Sequence, residues 1–135
     1  MTYLYGYLAT LVVFVLCDMV WLGTMASRVY KPTLGDIMLT DVNLPPAIAF
    51  YLIYPIGLVV FAVLPSLKPD GAAISQAALY GALFGFFSYM TYDLTNQATL
   101  RNWTVQLTLL DITWGTLLGA ISATAACLIT ARLAS

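Results

Sequence analysis

The chain has 135 residues, 61% of them hydrophobic and 8% charged, with a mean hydropathy of +0.90. A soluble domain carries about 25% charged residues, so lipid must be the solvent around most of this chain. Five basic residues against six Asp, with no Glu and no His, leave a net charge of −1. That balance gives no basic footprint for nucleic acid, and the missing His removes the commonest general base and transition-metal ligand, so neither a metal nor a cofactor is expected.

The first apolar run, residues 3–26, is long enough to cross a hydrocarbon core of about 30 Å. It is too long for a signal-peptide core, has no basic residue before it and contains Asp18 and Trp21, so it reads as a retained helix. The connection from Ser27 to Pro45 holds Val29, Tyr30, Leu34, Ile37, Met38 and Leu39 among charges, which suggests a short helix lying in the interface. The second run, 46–64, contains Pro55, which should kink it. The turn residues Lys68, Pro69, Asp70 and Gly71 separate it from the third run, 72–94, and the fourth covers 108–133. Short connections between such spans predict an all-α, integral membrane four-helix up-down bundle, with residues 1–135 forming a single transmembrane domain.

Small residues recur every four positions on the last two spans. Ala73, Ala77, Gly81 and Gly85 share one face of the third helix, and Gly115, Gly119 and Ala123 one face of the fourth. Such spacing lets helix backbones approach closely in lipid, within one chain or between two. Cys17 and Cys127 fall near opposite membrane faces, too far apart for a disulfide, and read as small buried hydrophobes.

Let the side holding the N-terminus be A and the other side B. Helix one then ends at B, helix three ends at B and helix four starts there, so Asp18, Asp93 and Asp111 share one leaflet. Trp21, Trp103 and Trp114 fall at the same level, as do Asn96, Arg101 and Asn102. The spacing Asp18 to Trp21 recurs as Asp111 to Trp114, three apart, so each acid shares a helix face with an indole. Asp111 also shares a face with Gly115, Gly119 and Ser122, which turns it toward a packed interface. A charged residue at a helix centre costs about 2.5 to 3.5 kcal/mol on insertion scales, so three carboxylates need partners, water or protons. Arg101 is the nearest counter-ion in sequence. The expected cluster is Asp18, Trp21, Asp93, Asn96, Arg101, Asp111 and Trp114, either as a polar site or as a network that locks the helices; the tryptophans alone fit an aromatic belt.

Four segments carry a resemblance: Cys17 to Gly23, Phe50 to Gly57, Thr91 to Leu100 and Leu110 to Gly115, with Tyr92-Asp93-Leu94-Thr95-Asn96 the most specific. Over essentially the whole chain the sequence resembles the bacterial membrane family termed domain of unknown function 2177. The resemblance implies a four-helix inner-membrane protein and no established activity.

Three readings of function follow. The first is a non-catalytic membrane subunit or lipid-binding bundle whose partners are membrane lipids, a larger membrane assembly or a second copy of the chain. The second is an intramembrane enzyme acting on a lipid, with Asp18, Asp93 and Asp111 as acid, base or divalent-metal ligands. The third is a small dimeric transporter in which a membrane acid titrates. Arg28, Lys31 and Arg101 on side B outnumber Lys68 and Arg132 on side A, which predicts a cytoplasmic side B.

Overall fold

In lipid an apolar segment must satisfy its own backbone groups, which makes helices of these four runs. The computed structural model describes residues 1–39 and 41–134; Thr40 and Ser135 lie outside the described residues. Four long helices follow in chain order: α1 (Thr2–Leu34), α2 (Leu44–Ser66), α3 (Ile74–Thr99) and α4 (Val105–Ala134). Round the bundle the order is α1, α2, α3, α4, each antiparallel to the next, with α1 and α4 closing the ring. Gly6 lies near Thr130 at one end of that closing pair, and Asp18 meets Trp114 toward the other.

The helices run further on side B than the apolar pattern predicts. α1 does not stop at Ala26 before a separate interfacial helix; it passes through a π-helical turn, Ala26–Tyr30, and continues to Leu34. α3 persists to Thr99 rather than Leu94. α4 begins at Val105 rather than Thr108, because the Thr104 hydroxyl accepts the Leu107 N–H at 3.0 Å as a cap. Hydrophobic patterning marks where hydrocarbon ends, whereas a helix ends where its backbone finds another partner. On side A, α2 and α3 are joined by a tight ribbon, β1 (Leu67–Lys68) paired antiparallel with β2 (Gly71–Ala72), in which Gly71 takes a φ of +143° that favours glycine. The ribbon delays α3 from Ala72 to Ile74.

Pro55 sits inside α2 and supplies no N–H to the helical ladder. A π-helical turn, Val59–Val63, follows within one turn, and beside it Gly57 admits the Phe84 ring against the α2 backbone. This half of α2 packs on α3, while its first half leans on α1 and approaches the α3 backbone only sparsely.

The closest packing joins α3 to α4. A Cβ added at Gly81 would overlap the Gly119 carbonyl oxygen, one at Gly119 the Gly81 carbonyl, and one at Gly85 the Gly115 carbonyl. Ala77, Gly81, Gly85, Gly115 and Gly119 are all buried, so the two small-residue stripes meet each other within one chain. Phe14, Leu58 and Leu118 form the core of the B half, and Ala62, Val63, Ala77, Ala123 and Cys127 that of the A half. Cys17 and Cys127 are free thiols.

α1, α2 and α4 are each long and apolar enough to cross a membrane. α3, expected as a fourth apolar span, has 26 residues but is less apolar, since Ser, Gln, Thr and Tyr interrupt it.

Candidate functional site

The three carboxylates enter from three helices toward the B end and are buried, with Asp18 and Asp111 6% exposed and Asp93 0% exposed. Each owes its depth to the face it occupies. Asp18 follows Phe14 by one turn on the inner face of α1, Asp93 follows Gly81 and Gly85 on that of α3, and Asp111 precedes Gly115 on that of α4.

Asp18 is satisfied on both oxygens. The Tyr51 hydroxyl of α2 donates to Oδ2, and the Trp114 indole N–H of α4 donates to Oδ1 at 3.2 Å. Asp111 receives the Tyr30 hydroxyl on Oδ1 at 2.6 Å, and Tyr30 in turn accepts the Trp21 indole N–H at 2.8 Å. The Trp21 and Trp114 rings stack at 4.5 Å, nearly parallel, and so join the two halves of the network. Asp93 receives no donor from the described residues on either oxygen, and its carboxyl faces that of Asp111.

Of the residues singled out from sequence, Asp18, Trp21, Asp93, Asp111 and Trp114 come together. Asn96 is half-buried one turn nearer the B surface, beside Tyr92 rather than against the carboxylates. Arg101 is exposed in the turn between α3 and α4, and among the described residues no ion pair ties it to the cluster. Trp103 lies apart from the indole pair, donating to Thr108 at 3.0 Å and packing edge-on against Tyr92. Among the described residues no three such side chains converge to hold a metal ion.

Sequence reasoning passed over Tyr30 and Tyr51 as members of the site, whereas Tyr89 was readable as sharing a face with Asp93 and Asn96 on a third helix that continues. Tyr30 reaches Asp111 because α1 continues through its π turn. Tyr51 lies in the segment Phe50 to Gly57 that carried the family resemblance, which was the available signal. Tyr89 lays its ring on the bare backbone of Gly115 and meets Tyr54 edge-on at 6.3 Å.

A second feature is an open groove of about 540 Å³ between α2 and α3. Phe61, Tyr80, Phe84 and Phe87 line it, with Ser88 and Thr91 toward side B. Phe61 and Phe84 stack at 5.8 Å, and the two hydroxyls donate to the carbonyls of Phe84 and Phe87 on their own helix.

A bundle of apolar helices, with Asp18, Asp93 and Asp111 turned inward and many large hydrophobic side chains outward, defines a helical membrane protein. The chain belongs to the family domain of unknown function 2177, described as a predicted membrane protein, which it matches over residues 3–128. No curated protein and no solved structure matches it.

Proposed function

We propose that the chain is a non-catalytic, multi-pass protein of the bacterial inner membrane that binds a membrane lipid along the groove between α2 and α3. The groove carries this reading. From Tyr80 to Thr91 the α3 backbone rises about 16 Å, close to half of a hydrocarbon core of about 30 Å, which is the reach of one leaflet's acyl chain. Its aromatic walls are stiff, and its Ser88 and Thr91 hydroxyls are satisfied internally, so an apolar chain can lie against them without stranding either donor.

The same internal bonds support α3 as a fourth crossing, because its Ser88, Thr91, Thr95 and Thr99 hydroxyls need no water. Both ends of the described chain then fall on side A, and the basic residues Arg28, Lys31 and Arg101 favour a cytoplasmic side B. A catalytic reading has less support, since Asp18 is engaged on both oxygens and the three acids do not converge. Because the small-residue stripes are consumed inside the chain, a dimeric transporter or a docked subunit would need another surface.

Native mass spectrometry after extraction in mild detergent tests the proposal. The wild-type protein is expected to retain one phospholipid, and Leu83→Trp, which fills the groove from an exposed position, is expected to lose it. Equal retention by both proteins would overturn the groove as the site.

A further inference from the structure

Two carboxyl environments of opposite kind stand near side B. Asp18 takes one donor on each oxygen, which suits an ionised carboxylate. Asp93 is wholly buried, has no donor from the described residues on either oxygen, and faces Asp111. Asp111 has one donor, Tyr30.

Two ionised carboxylates are acceptors only and cannot bond to each other, while their repulsion and lost hydration grow in a low dielectric. Among the described residues no cation offsets that. Tyr30 and Trp21 face it from α1 and Tyr89 and Tyr92 from α3, all neutral groups; the hydroxyl of Tyr51, from α2, is spent on Asp18. Arg28, Lys31 and Arg101 are exposed at the B surface, and among the described residues none pairs with either acid.

We propose that Asp93 and Asp111 form a proton-binding site inside the bundle, with one proton carried by Asp93 and donated to Asp111. The negative charge then resides on Asp111, where the Tyr30 hydroxyl also donates. Asp93 then has the partner it otherwise lacks, Asp111 gains a second donor beside Tyr30, and a neutral carboxyl leaves only its carbonyl oxygen without a bond. Through Tyr30 the same proton links α3 and α4 to the B-side extension of α1. Loss of the proton sets two adjacent anions against each other across the α3–α4 contact. The folded protein holds a proton that the unfolded chain releases, since an Asp in water is ionised at neutral pH. The folded state therefore binds more protons, and stability falls as pH rises.

Infrared spectroscopy of the purified protein in detergent reads the proton directly. At neutral pH the wild type is expected to show the carbonyl stretch of a protonated carboxylic acid, shifted in heavy water. The band should be retained in Asp18→Asn and absent in Asp93→Asn; Asp111→Asn should also remove it, so the assignment survives if one variant fails to fold. Absence of the band from wild type, or its persistence in Asp93→Asn, overturns the proposal. Thermal unfolding adds a second reading. The wild-type Tm should drop from neutral to alkaline pH, while Asp93→Asn, whose amide donates at every pH, should hold its Tm. Parallel losses in the two proteins would also overturn it. Neither measurement depends on lipid in the groove.

Discussion

The indoles of Trp21 and Trp114 lie face to face, 4.5 Å between ring centroids and 4° between planes, and each N–H is directed to a different part of the acid network. Trp21 donates to Tyr30, which serves Asp111, while Trp114 donates to Asp18. One stacked pair therefore fastens α1 to α4 and connects two carboxylate environments.

Replacing Trp114 by Phe keeps an aromatic ring against Trp21 but removes the donor to Asp18. A hydrogen bond to a charged group is worth about 1.5–3 kcal/mol, and the vacated oxygen stays buried, so a loss in that range is expected. Trp114→Ala should cost more, since it also removes the stack. Unfolding of the three proteins in one detergent checks the order; a Phe variant as stable as wild type would show that the bond contributes nothing.

Gly119 and Gly23 make a matched pair of tests. A Cβ at Gly119 overlaps the Gly81 backbone, which cannot move aside as a flexible side chain would, whereas a Cβ at Gly23 meets nothing within 4 Å. Gly119→Ala is expected to destabilise by about 1–3 kcal/mol or more through overpacking. Gly23→Ala should be neutral or stabilising by up to about 1 kcal/mol, the difference in helix propensity. Equal stability of the two variants would mean that the α3–α4 contact is looser than the structure has it.

Tyr30 holds the extension of α1 beyond Met25 through its bond to Asp111. Tyr30→Phe should therefore speed amide hydrogen exchange over Ala26–Tyr30 and Lys31–Leu34, with little change in the deeper part of α1 around Phe14. Uniform acceleration along α1 would show that the bond supports the whole helix rather than its B-side end.

Orientation is open to labelling. Asp70, exposed in the side-A turn, and Asp36, exposed beyond α1 on side B, can each be changed to Cys in a Cys17→Ala background, since Cys127 is buried. An impermeant reagent applied to intact cells should modify position 70 and spare position 36. Modification of both from outside would contradict an odd number of crossings between them.

The membrane class, the four helices and their antiparallel order were legible in the sequence because they follow from amounts that need no neighbours. These are the length of each apolar run against the thickness of hydrocarbon and the shortness of most connections. The common depth of Asp18, Asp93 and Asp111 was legible for the same reason, as helix direction and position along the helix set depth. Small-residue spacing showed that Gly81, Gly85, Gly115 and Gly119 would line a close contact but could not say whose backbone they would meet.

That choice belonged to tertiary structure, and so did every pairing within the polar cluster. Depth does not say which way a side chain turns, which depends on the rotation and crossing of helices once packed. The π turn at Ala26–Tyr30 carries Tyr30 onto Asp111, and the lean of α2 on α1 carries Tyr51 onto Asp18, effects that no local pattern encodes. Arg101, close to Asp93 in sequence, is taken away by a turn in which Asn102 adopts a φ of +69°. What remains facing Asp93 is another acid, because burial of the stripe between α3 and α4 brings the residues above it together whatever their charge.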